Sequence, residues 1–127
     1  SGITDYDNYR TQQQKWLESL ADNELVTGAR FRIVIAHMPP SISKDIWHGQ
    51  KEVLEKFVPA LNKLGTDLML CGHLHVNQYE EPGDTIRFPV IVNSNESVLS
   101  AEVSEDRIDV TITDINGKTV MKKTFTK

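Results

Sequence analysis

Three of the four histidines in this chain fall into two short strings whose chemistry is that of a metal ligand. His37 ends the apolar run at 31–36, and His73 and His75 follow Gly72 in Gly72-His73-Leu74-His75. Neutral imidazole suits Zn, Fe, Mn or Ni, and a glycine ahead of the pair lets the backbone turn sharply so that both rings face one point. Alone, a Gly-His-x-His string reads equally well as a surface loop with two solvated rings; its exit straight from an apolar strand favours ligation. The fourth, His48, sits in Ile46-Trp47-His48-Gly49, after the His37 strand. There a substrate-contacting role competes with that of a solvated loop histidine.

The elements that must position these groups are legible in the apolar pattern. Residues 1–10 read as an irregular polar lead. Residues 13–21 place Trp16, Leu17 and Leu20 at helical spacing, with Asp22-Asn23 as a stop. Residues 31–36 and 68–71 are short, β-branched and uniformly apolar, which predicts buried strands. Between them Val53, Leu54, Phe57, Leu61 and Leu64 share a helical face, with Pro59 set to break or restart the helix and Gly65 to cap it. Strand, helix, strand with apolar runs predicts a parallel βαβ pair, whose two carboxyl ends meet at one sheet edge where open α/β sheets bind ligands. His37 and the His73/His75 pair converge there. Short β-rich runs at 86–92, 98–103, 107–113 and 119–125 predict an antiparallel sheet, and Asn116-Gly117 a type I′ hairpin turn. The fold class expected is thus α/β, a short parallel βαβ unit followed by antiparallel strands. It forms a single domain or domain fragment, with residues 1–80 carrying the histidine motifs and 81–127 a β-rich sheet.

Composition narrows the function classes. The 127 residues carry 14 basic and 18 acidic side chains, net charge -4, with no run of Lys or Arg to track a phosphate backbone, so nucleic acid is not expected as a partner. The longest apolar stretches fall far short of the roughly 20 residues that span a bilayer, so neither is a membrane. Cys71 is the single cysteine, which excludes an internal disulfide and leaves the cell compartment open. It reads as a small core residue, and Trp47 as a packing anchor with stacking on a leaving group as its alternative. Asn77 reads as a ligand-orienting side chain or a turn cap, residues 93–95 as a turn, and Asp106 and Asp109 as solvated charges.

The string Ile33-Val34-Ile35-Ala36-His37-Met38-Pro39-Pro40, followed by Asp67-Leu68-Met69-Leu70-Cys71-Gly72-His73-Leu74-His75, resembles the C-terminal half of a calcineurin-like metallophosphoesterase. Gln13, Trp16 and Leu17 are similar to the helix that precedes the histidine strand in its purple-acid-phosphatase-like branch. The resemblance covers residues 13–95. It implies an α/β sandwich that hydrolyses phosphate mono- or diesters with two transition-metal ions (Fe, Zn or Mn), His37 and His73 ligating one and His75 the other.

The family's earlier motifs, Asp-x-His, Gly-Asp-x-x-Asp and Gly-Asn-His, do not occur in the sequence; Gly83-Asp84 continues as Thr85-Ile86-Arg87. They carry the carboxylate that bridges the two ions. The expectation is therefore a C-terminal portion of a phosphoesterase, inactive alone, holding at most one ion weakly. Its partners would be a phosphate ester substrate and either the missing N-terminal half or a second copy. A function of another class is a non-catalytic module that binds a protein through the sheet after residue 86.

Overall fold

Strands that are apolar at every position need cover on both faces, and that need organises the architecture. The computed structural model describes residues 6–40 and 48–127. Its elements run α1 (Tyr6–Ser19), a 3-10 turn (Leu20–Asp22), α2 (Glu24–Thr27), β1 (Ile33–Ala36), α3 (His48–Glu52), a π-helical turn (Val53–Phe57) and α4 (Val58–Leu64). There follow β2 (Leu68–Cys71), β3 (Gln78–Glu80), β4 (Val90–Val92), β5 (Ser97–Val103), β6 (Arg107–Asp114) and β7 (Thr119–Thr126). Among the described residues two sheets form, one in the order β1-β2-β4-β3 and one in the order β5-β6-β7.

Alternation along the parallel strands builds two cores. Met69, Cys71, Val90 and Val92 face the helices and pack with Val53, Val58, Leu61 and Phe88. Leu68 and Ile91 face the other way, onto Ile108, Val110 and Ile112 of the meander β5-β6-β7. The protein is thus layered as helices, parallel sheet and antiparallel meander. The predicted pairing of residues 31–36 with 68–71 is found, with Ile33 opposite Leu68 and Ala36 opposite Cys71 in parallel.

The helical segment after His48 behaves as its proline dictates. Pro59 has no N–H to close on the carbonyl of Glu55, and the chain widens into a π turn whose last bond runs from the Val58 N–H to the Val53 carbonyl. An α-helix restarts with Pro59 in its first turn and ends at Gly65, which takes the left-handed conformation at φ 75°.

Several expectations are corrected. The helix at 13–21 begins at Tyr6 instead, with one ion-paired hydrogen bond from Arg10 to the Asp7 carboxylate one turn back supporting a helical turn in the supposed irregular lead; residues 1–5 lie outside the described set. Asn23 stops the first helix by capping a second, its side chain accepting from the Leu25 N–H. Within the run at 86–92 only Val90–Val92 is a strand, and it lies between a parallel and an antiparallel neighbour rather than in the antiparallel meander. Val90–Val92 pairs parallel with β2 while Ile86 and Phe88 are core side chains in the preceding loop, so the four-stranded sheet takes strands from both sides of residue 80. An unbroken apolar triplet is the mark of a central parallel strand, whereas an exposed-edge strand alternates. Its antiparallel neighbour β3, polar and short, gave no signal in the sequence. At Asn116-Gly117 only Gly117 has positive φ, 81°, and its N–H donates to the Asp114 carbonyl at 3.0 Å, so the turn is type I with a left-handed glycine. Trp47 and the loop positions 41–44 lie outside the described residues. Among the described residues no helix is long and apolar enough to cross a membrane.

Candidate metal centre

Because β1, β2 and β4 are parallel, their carboxyl ends deliver His37, the segment 72–77 and the segment 93–97 to one edge of the sheet. Backbone bonds lock these exits together: the Gly72 N–H donates to the His37 carbonyl and the Asn93 N–H to the Cys71 carbonyl, each at 2.9 Å. The consequence for the side chains is immediate. His73 Nδ1 lies 3.1 Å from His37 Nε2, with the rings edge to face at 80° and their centroids 4.9 Å apart. Two imidazole nitrogens bound to one tetrahedral zinc at about 2.0–2.1 Å are about 3.3 Å apart, so this pair fits a shared ion.

The loop holds its histidines by strain. His73 and His75 have φ of 70° and 57°, the left-handed region that side chains with a Cβ avoid. The Leu74 N–H donates back to the Gly72 carbonyl at 2.8 Å, closing a γ-turn of the rare positive-φ form around His73. The sharp turn expected of Gly72 is therefore made by the histidines themselves. A Cβ at Gly72 would stand 3.9 Å from the nearest atom, the His37 carbonyl oxygen, which is ordinary contact.

His75, two positions after His73, is exposed. Among the described residues no third His, Cys, Asp or Glu brings a ligand atom within 4.8 Å of both His37 and His73; the one trio that close is Asp7, His48 and Glu52. The far end of the loop is pinned by Asn77, whose Oδ1 accepts from the Ser94 N–H at 2.9 Å and the Ser97 hydroxyl at 3.1 Å. Asn77 thus ties the histidine loop to the β4 exit and does not cap its own turn. Cys71 is buried, and burial pushes its thiol up to about 12, so it sits in the strand as a neutral core side chain. Asp106 accepts from the Ser104 hydroxyl, and Asp109 from Thr124 and Arg107, all on the meander.

His48 has different company. Its Nε2 lies 3.0 Å from Asp7 Oδ1 and 3.7 Å from Glu52 Oε1, between the first turn of α1 and the end of α3. The hydrogen bond from His48 is the main reason the Asp7 carboxyl is held below its ordinary range. Lys56 completes the group, bonding Glu52 Oε1 at 2.9 Å and both the Asp7 carbonyl and the Thr11 hydroxyl at 2.8 Å. The His48/Glu52 spacing of four was readable as one helix face; the arrival of Asp7 from 41 positions away was not.

The model of the family described as calcineurin-like phosphoesterase matches residues 1–77, more than half of the 127-residue chain. Among solved structures, the chain is similar to the crystal structure of a conserved uncharacterized protein, a predicted phosphoesterase, from Streptococcus pneumoniae TIGR4. The TM-score is 0.44 and the identity 14%, and the match covers 58% of this chain and 48% of that one. The chain therefore spans about half the length of that neighbour. No curated protein matches it.

Proposed function

The chain belongs to the calcineurin-like phosphoesterase family, and from that premise we propose that it is the C-terminal portion of a metal-dependent phosphoesterase of the purple-acid-phosphatase-like branch. In this reading His37 and His73 hold one ion of a two-metal site and His75 serves the other. The observation that carries it is the 3.1 Å approach of two imidazole nitrogens at the carboxyl ends of parallel strands. When bound, such ions supply Lewis-acid stabilisation of a phosphoryl group and lower the pKa of water.

This chain's own part is positional. The strand exits hold His37 and His73 at fixed separation, and the left-handed loop directs the next imidazole without a glycine's slack. No carboxylate among the described residues stands close enough to both His37 and His73 to join them, and a bridging anion is what holds two cations about 3.5–4 Å apart. The 127 residues alone are therefore inactive in this reading.

The missing ligands enter from a second polypeptide segment beside β1. That strand lies at the edge of its sheet, Ile35 is 80% exposed, and a groove of about 750 Å³ lined by Trp16, Leu20, Leu25 and Phe57 opens next to it. Such an edge and apolar surface suit the N-terminal half of the fold, or a second copy in its absence.

The test joins the chain to a polypeptide bearing Asp-x-His, Gly-Asp-x-x-Asp and Gly-Asn-His motifs and follows aryl phosphate and diester hydrolysis with metal content. Turnover in the joined species, and its loss on His73→Ala, is expected. Robust metal-dependent turnover by the 127 residues alone removes the fragment reading, and unchanged activity after His73→Ala removes the ligand assignment.

A further inference from the structure

Asp7, His48 and Glu52 are not at the histidine edge and have no part in the reading above, yet each offers a ligand atom within 4.8 Å of the other two. From their geometry we infer that this trio is a second cation site, one that takes a divalent transition ion favouring nitrogen and oxygen donors, zinc being the probe of choice.

The argument starts from the hydrogen-bond inventory. His48 presents a single nitrogen, Nε2, to two carboxylate oxygens, Asp7 Oδ1 at 3.0 Å and Glu52 Oε1 at 3.7 Å. One N–H bonds Asp7 and leaves Glu52 Oε1 beyond bonding distance of the ring, that oxygen being bonded instead by the Lys56 ammonium at 2.9 Å. An ion among the three would engage the imidazole and both carboxylates at once, alongside the cations that already bond them. Ligand atoms on a tetrahedral zinc with bonds of about 2.0–2.2 Å stand about 3.3–3.5 Å apart, and 3.0 and 3.7 Å bracket that spacing.

The two carboxylates already face two cations, Arg10 at 3.3 Å from Asp7 Oδ1 and Lys56 at 2.9 Å from Glu52 Oε1, so the site rests on its donor set, spacing and access and not on surplus negative charge. The Lys56 ammonium is also held by the Asp7 carbonyl and the Thr11 hydroxyl, so an ion would share the Glu52 oxygen with it. Glu52 is buried, at 5% exposure, and fixes the floor of the site; the Asp7 and His48 side chains are 40% and 60% exposed, leaving an entry path and an open fourth position. The ion would join α1 to α3, two elements that otherwise meet through hydrogen bonds and packing.

The experiment isolates this trio from the histidine pair. Zinc binding is measured by calorimetry and elemental analysis on His73→Ala, on His73→Ala/His48→Ala and on His73→Ala/Asp7→Asn, each checked for folding by circular dichroism. His73→Ala should retain about one zinc, and either second substitution should weaken that binding at least roughly tenfold. Zinc should also slow amide exchange in α1 of His73→Ala and leave α1 of the His48 variant unchanged. Absence of zinc from folded His73→Ala, or equal binding after His48→Ala, overturns the site, and the proposed phosphoesterase chemistry then stands or falls separately on His37 and His73. Should one double variant fail to fold, the other decides.

Discussion

Replacing His75 by glycine and, separately, by alanine measures the strain held in the metal loop. Both changes remove the exposed imidazole; they differ only in the Cβ. With φ at 57°, that Cβ crowds the following carbonyl at a cost of about 1–2 kcal/mol, which glycine does not incur. Glycine gives back roughly 0.5–1 kcal/mol through its greater freedom in the unfolded chain. The net expectation is that His75→Gly is more stable than His75→Ala by about 0.5–1 kcal/mol. Val76, the next residue and not of positive φ, is the control, and there the alanine variant should be the more stable by about 0.5–1 kcal/mol. Urea unfolding followed by circular dichroism, in the presence of a chelator, reads all four midpoints. If the His75 pair orders the same way as the Val76 pair, the loop stores no strain and the account of how it aims its histidines is wrong. If the order inverts as expected, the loop keeps a histidine where glycine would be more comfortable, which ties the conformation to ligation.

Three further outcomes are expected. Phe88→Ala, at a side chain 1% exposed among Val58, Leu61 and Met69, should cost about 3–5 kcal/mol in urea unfolding, and a cost below about 1 kcal/mol would mean that the helix-side core is not packed as described. Cys71, with its thiol raised to about 12, should resist iodoacetamide at pH 8 until the chain unfolds; fast labelling of the native protein would contradict its burial. Asp109, held low first by the Thr124 hydroxyl and then by Arg107, should titrate by carboxyl NMR below the usual value near 3.9. Its folded pKa being the lower, it contributes stability that is present above the unfolded carboxylate value and lost as pH falls through the lower folded value. Titration at or above the usual value would remove the Thr124 bond from the account.

What the sequence revealed and what it concealed divide along physical lines. The parallel pair β1 and β2 was legible because an unbroken apolar run has few other uses, and the π turn was foreshadowed by Pro59. The same logic applied to Val90–Val92 would have identified a third parallel strand, but Pro89 and the neighbouring turn residues drew that segment into a meander reading. His37 and His73 were legible as a pair because each leaves a strand; their left-handed backbone was not, since only glycine announces positive φ by residue type. Asp7 carried no signal, because its role depends on where α1 comes to rest against α3, a tertiary fact.

The two cores have a consequence for rebuilding the protein. β2 and β4 act as a partition wall, with Met69 and Val90 on the helix side and Leu68 and Ile91 on the meander side. Substitutions on opposite sides, such as Val58 with Val110, fall in separate compartments and should add in their effect on stability. Inserting one residue ahead of β2 that shifted its register by one place would exchange the tenants of both rooms at once, since a strand's side chains change faces at every step. The wall tolerates redecoration of either room and does not tolerate being slid.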